Sequence, residues 1–114
     1  MRVNPDRPTT PAKPLSHLTN ADLHCHSTVS DGTLEPEAIA ERAAANGVEL
    51  WALTDHDEVG GQHRARDAAH ARGMAYLTGT EVSVTFADET VHIIGLGFDP
   101  DDAALREGLA RTRG

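Results

Sequence analysis

The sequence predicts an α/β domain, and two observations support that prediction. From Ala21 onward, short apolar runs alternate with alanine-rich segments that end at glycine, which is the pattern of repeated β-α units. The 114-residue chain is 39% hydrophobic and 25% charged, as globular domains are, while aromatic residues make up only 4%. Packing therefore falls mainly to Ala, Val, Leu and Ile.

Residues 1–20 are predicted to form a disordered, proline-rich arm. Four of the six prolines lie in the first fourteen residues together with basic side chains, and this stretch has little apolar surface to bury. The folded domain is predicted to span 21–114, which is enough for one small core.

The first half of the domain is predicted to contain two strands that flank a helix. Strand residues Ala21–Cys25 are followed by a polar loop, 27–33, and by a helix whose first turn contains Pro36. Gly47 is a typical helix stop, and Leu50–Thr54 forms the second strand.

The second half is predicted to add a helix, a strand, a hairpin and a closing helix. The helix spans Gly61–Arg72 with Gly73 as its stop, and the strand is Met74–Leu77. Alternation of apolar residues around Val82–Phe86 and 91–97 predicts the hairpin, with its turn at 87–89. The last helix is predicted to open at Asp99-Pro100 and to run to the chain end.

Charge and cysteine content restrict the function classes. A formal net charge of -8 argues against stable binding to duplex nucleic acid, which clustered Lys and Arg would provide. The single cysteine, Cys25, rules out an intrachain disulfide and is expected to be a small buried residue. No apolar run reaches the ~18 residues of a membrane span, and we expect a cytoplasmic protein that does not contact membranes.

His24 and His26 stand two residues apart at the end of the first predicted strand. Their side chains should leave the same face and reach one metal ion, although a lone His-x-His is more often a pair of surface histidines. Asp31, in Ser-Asp-Gly, offers a carboxylate oxygen from the following loop, with turn capping as the simpler alternative.

His56 closes the second predicted strand. Because β-α units place strand ends on one side of a sheet, His56 should lie beside the first histidine pair and bind metal with it. Asp55 is expected to orient a histidine from behind, or to cap the following turn.

Two further candidates lie in the predicted hairpin. Glu81 could bridge two cations about 3.5–4 Å apart, or be an ordinary exposed glutamate. His92 lies in an apolar strand, where a core histidine would be the default if the other candidates were ignored.

These residues occur in a characteristic series of motifs. In order they are Asp22-Leu23-His24-Cys25-His26-Ser27, Ser30-Asp31-Gly32, Leu53-Thr54-Asp55-His56-Asp57, Gly79-Thr80-Glu81-Val82-Ser83 and Val91-His92-Ile93-Ile94-Gly95-Leu96-Gly97. Together they resemble the start of a polymerase and histidinol phosphatase (PHP) domain, and the order and spacing make that resemblance specific.

The resemblance implies the N-terminal part of a distorted (β/α)7 barrel with a metal site at its C-terminal mouth. By position, His24 and His26 would hold a first ion, and Asp31 and His56 a second. Glu81 would bridge those two ions and His92 would hold a third. The family also has a later histidine and an Asp-x-His, which this chain does not contain, so the C-terminal part of the domain is expected to be missing and activity of these 114 residues alone is uncertain.

The resemblance also implies hydrolysis of phosphate esters with two or three divalent ions. Manganese is the expected metal, with zinc, iron(II) and magnesium as alternatives. The motifs look most like stand-alone enzymes that act on nucleoside 3′,5′-bisphosphates or short RNA, so the expected partner is a small phosphorylated substrate. Three alternatives stay open: an amidohydrolase, a catalytically incomplete metal-binding fragment, and a polymerase-linked proofreading exonuclease.

Overall fold

The chain, in a computed structural model that describes residues 20–114, alternates strands and helices. The elements are β1 (Ala21–Asp22), α1 (Pro36–Ala45), β2 (Leu50–Trp51), α2 (Gln62–Ala71), β3 (Ala75–Tyr76), β4 (Gly79–Phe86), β5 (Glu89–Leu96) and α3 (Ala103–Arg113). This order confirms the α/β prediction. The predicted arm lies outside the described residues, apart from Asn20. No helix within 20–114 is both long enough and apolar enough to cross a bilayer.

A parallel sheet of order β1-β2-β3 organises the first part of the fold. Its regular strands are two residues each, shorter than the four or five predicted. The chains stay paired beyond them, but a side chain joins the pairing: Cys25 N–H donates to the Thr54 hydroxyl, and Thr54 N–H donates to the Cys25 carbonyl. The predicted strand ends are therefore wrong because the regular ladder gives way to mixed backbone and side-chain bonds.

The core lies between this sheet and the helices α1 and α2. Trp51 and Leu53 are fully buried beside alanines from both helices, such as Ala40 and Ala65. Small side chains let the two helices approach each other closely, which suits a chain with few aromatic residues. Both helices end where the sequence predicted, just before glycines at positive φ.

Strands β4 and β5 form the predicted antiparallel hairpin. Its turn is Ala87–Asp88, and both residues have positive φ, as a tight hairpin turn requires. Opposite residues of a hairpin share a face, so Glu81 and His92 point to one side of it. A parallel bridge between His56 and Glu81 attaches the hairpin to the end of β2.

The closing helix begins later than predicted. Asp99 forms a turn of its own, accepting the Asp101 N–H at its carboxylate. The N-cap of α3 is Asp102, whose carboxylate accepts the Leu105 N–H at 2.9 Å. Asp102, not Asp99, caps the helix because its side chain reaches a free N–H of the first helical turn.

Gln62, the first residue of α2, connects the chain after β2 with strands β3 and β4 from within the core. Its side-chain amide donates to the Leu53 carbonyl at 2.9 Å. Its carbonyl oxygen accepts from the Tyr76 hydroxyl at 2.6 Å and from the Gly79 N–H at 2.9 Å. The residue is 1% exposed, so water cannot replace these partners.

We expect Gln62→Leu to lower the free energy of unfolding by about 3 kcal/mol. The buried Gly79 N–H, Leu53 carbonyl and Tyr76 hydroxyl would each lose a hydrogen-bond partner. Denaturant-induced unfolding of the purified protein measures this. Asp67→Leu is the matched control, since Asp67 lies on the same helix with its side chain 75% exposed. Equal stability of the two variants would contradict this account.

Candidate metal centre

The structure brings all six candidate side chains together beyond the carboxyl ends of the parallel strands β1 and β2. They come from the segment after β1, the loop before α1, the end of β2 and the two hairpin strands: His24, His26, Asp31, His56, Glu81 and His92. Neighbouring imidazole rings lie close together, with centroids 5.3 Å apart for His24 and His26, 4.2 Å for His26 and His56, and 5.6 Å for His56 and His92.

Glu81 lies at the centre of the cluster and is 5% exposed. Its Oε1 accepts from Nε2 of His24 at 2.7 Å and from Nε2 of His26 at 2.9 Å. Its Oε2 lies 3.1 Å from Nδ1 of His92 and 3.5 Å from Nδ1 of His56. Each carboxylate oxygen thus faces a different pair of rings.

The electrostatics keep the Glu81 carboxylate charged. Burial raises its pKa, but hydrogen bonds from His24 and His26, with the charge of His56, outweigh burial and bring the pKa below its usual 4.5. A buried anion at this point therefore requires positive charge around it.

Asp31 approaches the same rings from the solvent side. Its Oδ1 lies 2.8 Å from Nδ1 of His26 and its Oδ2 lies 3.2 Å from Nε2 of His56. The hydrogen bond from His26 lowers the pKa of Asp31. Burial lowers the pKa of His26, but its hydrogen bonds to Asp31 and Glu81 raise it more, so the net shift is upward.

The loop that carries Asp31 folds tightly over the end of β1. Gly32 N–H donates to the Ser27 carbonyl at 2.8 Å. A Cβ at Gly32 would clash with the carbonyl of His26, so only glycine fits there. The Ser-Asp-Gly sequence thus lets the Asp31 carboxylate turn back onto the histidines.

Cys25 lies between the two histidines but faces the other way, as the alternation of a strand predicts. Its sulfur accepts the Trp51 indole N–H at 3.2 Å and packs against the core. Burial raises the pKa of the Cys25 thiol to about 11, which keeps it protonated and outside the cluster.

Asp55 bonds to the loop that carries Asp31. Its buried carboxylate accepts from Ser27 N–H at 2.6 Å, from the Ser27 hydroxyl at 2.7 Å and from the Ser30 hydroxyl at 2.6 Å. Among the described residues its side-chain hydrogen bonds go to these serines and not to a histidine ring. The Asp55 carboxylate thus anchors the 27–30 loop beneath Asp31, and its expected role of orienting a histidine stays a prediction.

Sequence reasoning also missed two residues beside the cluster. Asp57 accepts the Ser83 N–H at 2.9 Å with its carboxylate, and Ser83 itself places its hydroxyl 3.2 Å from Nδ1 of His92. Asp57 was visible in the motif after His56, but its partner depends on the distance between β2 and β4, which local sequence does not specify.

Three sets of ligand atoms follow from this geometry. Within each set the atoms lie within 4.8 Å of one another, and the sets are His24–His26–Glu81, His26–Asp31–His56 and His56–Glu81–His92. The first two contain the pairs expected to share an ion, while His26 and His56 each reach a second set. Imidazole nitrogens and carboxylate oxygens at this spacing could hold metal ions, and the same types of ligand occur in the class of metal-dependent hydrolases.

Comparison with known proteins agrees with that class. The PHP domain family matches residues 22–105. The chain therefore belongs to the PHP domain family.

Two curated relatives show what this family includes. The chain is 51% identical over 96 residues to the 3′,5′-nucleoside bisphosphate phosphatase of Chromobacterium violaceum, covering 84% of the chain and 34% of that protein. It is 47% identical over 78 residues to a 5′-3′ exoribonuclease of Haemophilus influenzae, covering 68% of the chain and 28% of that protein. The chain thus spans about a third of the length of these relatives.

Solved structures agree on the fold. A C. violaceum protein described as an amidohydrolase, with bound sulfate and no metal, superposes with a TM-score of 0.80 at 52% identity, over 82% of this chain and 33% of that one. A Bifidobacterium adolescentis protein assigned as a metal-dependent phosphoesterase gives a TM-score of 0.78 at 34% identity, over 82% and 33%.

We expect Asp55→Ala to loosen the loop that carries Asp31, because three donors lose a buried acceptor. The free energy of unfolding should fall by about 3 kcal/mol, and Asp55→Asn, which keeps one acceptor oxygen, should lose less. Denaturant unfolding and amide hydrogen exchange across 27–32 measure both effects. Unchanged exchange in Asp55→Ala, equal to that of the exposed control Asp67→Ala, would contradict the anchoring role.

Proposed function

We propose that this chain forms part of a metal-dependent phosphoesterase that hydrolyses phosphate esters of nucleotides. The observation that carries the proposal is the position of Glu81. Its buried carboxylate faces histidines from three segments of the chain, and Asp31 faces two of the same rings from the opposite side.

The charge pattern fits bound cations. The His26 ring lies between two carboxylates, with Nδ1 against Asp31 and Nε2 against Glu81. Burial lowers the pKa of His26, but its hydrogen bonds to the two acids favour the ring with a proton on each nitrogen, so the pKa is raised overall. A divalent ion next to an unprotonated ring nitrogen would satisfy the same carboxylates, since metal and proton compete for that lone pair.

We propose the ligand roles that the family resemblance implies. His24 and His26 hold one ion, and Asp31 and His56 hold a second. Glu81 bridges them, because its two oxygens face different ring pairs, and His92 serves a third with Glu81 nearby. Imidazole with carboxylate suits manganese, zinc and iron(II) better than magnesium, and manganese is our choice.

Ions bound there supply neutralisation of phosphate oxygens and a lowered pKa for an attacking water. The chain's own residues set the geometry: Asp55 fixes the 27–30 loop, and the hairpin holds Glu81 and His92 on one face. The net charge is -8, and bound cations would provide the local positive charge that a phosphorylated substrate needs.

We propose a nucleotide or short RNA as the substrate class. Two curated relatives act on a 3′,5′-nucleoside bisphosphate and on RNA from its 5′ end, as their names state. Of these we favour the bisphosphate, because identity to the phosphatase is higher and extends over more of the chain. A nucleotide substrate would also suit the cytoplasmic location expected from the sequence.

We further propose that β1, β2 and β3 open a distorted (β/α)7 barrel with the cluster at its C-terminal mouth. The parallel order of these strands and the superposition on the B. adolescentis protein assigned as a metal-dependent phosphoesterase support this. The domain would then start near Ala21 and extend over more chain than the 114 residues, as the larger relatives do.

We expect His56→Ala, in the full-length protein that carries this chain, to reduce manganese-dependent phosphate release from adenosine 3′,5′-bisphosphate by at least about 100-fold. Loss of a residue behind a ligand costs 10–100-fold, and loss of a ligand should cost no less. His63→Ala is the matched control, because His63 lies on α2 against Asp101, outside the cluster. Equal turnover in both variants would disprove the proposed role of His56.

Removal of metal gives an independent test. Full-length protein treated with a chelator should lose phosphate release and regain it with manganese, and elemental analysis should find two or three ions per chain before treatment. Protein that contains no metal yet hydrolyses the bisphosphate would contradict the proposed function.

An amidohydrolase is the second candidate, because one structural relative carries that description. The same preparation should therefore be offered N-acetylated amino acids. Amide hydrolysis without phosphate release would favour the amidohydrolase, and metal binding without either activity would favour a non-catalytic module.

A further inference from the structure

Asp57 has an unusual backbone conformation directly beside the cluster. It follows His56, is 8% exposed and has a φ of 49°. The other non-glycine residues with positive φ in the described chain are Ala87 and Asp88, in the hairpin turn. Among the non-glycine residues of the described chain, Asp57 is thus the one that has a positive φ and is buried. Such a strained conformation persists only where the surrounding contacts hold it in place.

The hydrogen bonds around Asp57 show what its conformation achieves. At the parallel bridge between His56, beyond β2, and Glu81 of β4, Glu81 N–H donates to the Asp55 carbonyl and Asp57 N–H donates to the Glu81 carbonyl. A regular ladder would continue with Ser83 N–H donating to the Asp57 carbonyl. Instead, Ser83 N–H donates to the Asp57 carboxylate at 2.9 Å.

The side chain of Asp57 therefore replaces its own backbone carbonyl in the ladder. The left-handed turn points that carbonyl away, where it accepts from the guanidinium of Arg113 at the end of α3. The chain can then leave the sheet directly after His56 while β4 remains fully bonded.

The hydrogen bond from Ser83 N–H to the Asp57 carboxylate fixes the spacing between two candidate ligands, His56 and Glu81. Glu81 is held by backbone bonds to residues 55 and 57, and the next paired residue, Ser83, is held by the Asp57 carboxylate. His56 lies between the two bonded residues, with its Nδ1 3.5 Å from Glu81 Oε2. A change in either bond would move the Glu81 carboxylate relative to the His56 ring.

The residue type follows from two requirements. The side chain must end in an acceptor one carbon beyond Cβ, and the backbone must tolerate positive φ. Asp and Asn meet both, while Gly meets only the second and Ala meets neither.

We propose that Asp57 is a positioning residue that sets the distance between His56 and Glu81 and thereby the affinity of the metal centre. This inference rests on the proposed function, because it assigns Asp57 a role in a metal site. Asp57 acts through its hydrogen bonds to Ser83 and Glu81.

The test compares Asp57→Asn, Asp57→Gly and Asp57→Ala in the full-length protein. In metal-free protein, amide exchange at Ser83 should accelerate in the Gly and Ala variants and stay protected in the Asn variant. Manganese affinity, measured by chelator competition, should fall about 10–100-fold in Gly and Ala. In the same two variants, kcat for adenosine 3′,5′-bisphosphate should also fall. The Asp57→Asn variant should keep a manganese affinity and a kcat close to those of the wild type.

Asp88→Ala is the matched control for backbone strain. Asp88 also has positive φ, at 66°, but lies exposed in the hairpin turn. This variant should lose stability without losing manganese affinity or kcat. The Asp57→Gly variant keeps the comparison valid if Asp57→Ala does not fold, because glycine removes the acceptor without adding strain.

The outcomes separate this inference from the function on which it rests. Wild-type protein that binds manganese, with Gly and Ala variants of equal affinity and kcat, would overturn the positioning role and leave the metal site intact. Lower melting temperature with unchanged manganese affinity would show a purely structural role and would also overturn it. Wild-type protein that binds no manganese would contradict the proposed function itself.

Discussion

The Glu81 carboxylate is buried among imidazoles that come from the segment after β1, the end of β2 and strand β5. An isolated buried carboxylate would be strongly destabilising, so its neighbours must supply positive charge. Hydrogen bonds from His24 and His26 do so, together with the charge of His56. Because these histidines belong to different segments, the packing of those segments around Glu81 also determines which ligand sets exist.

Two kinds of strand pairing bring these segments together. The parallel sheet places the chain after β1 and the chain after β2 at one edge, as β-α units generally do. The hairpin then crosses that edge and attaches through the bridge between His56 and Glu81. In both arrangements a buried polar side chain takes the place of a backbone carbonyl between strands. The Thr54 hydroxyl accepts from Cys25 N–H, and the Asp57 carboxylate accepts from Ser83 N–H.

The sequence predicted helices and turns well and polar partners less well. Helices α1 and α2 end before the predicted glycines, and the hairpin has the predicted strands, because these depend on local conformational preference and alternation. The strand ends and the start of α3 differ, since side chains of Thr54 and Asp102 decide them. The serine partners of Asp55 were not predicted, because they are near in space and distant in sequence.

The sequence by itself determined the α/β class, the family resemblance and the identity of the six candidate ligands, because these are carried by local patterns and by motifs at fixed spacing. Only the tertiary structure decided which ligand atoms face each other, that Glu81 is the central carboxylate, and that Asp55 and Asp57 hold the loop and β4 in place. Hydrogen bonds between distant segments depend on how closely the strands approach and at what register, and neither quantity is encoded within any one segment.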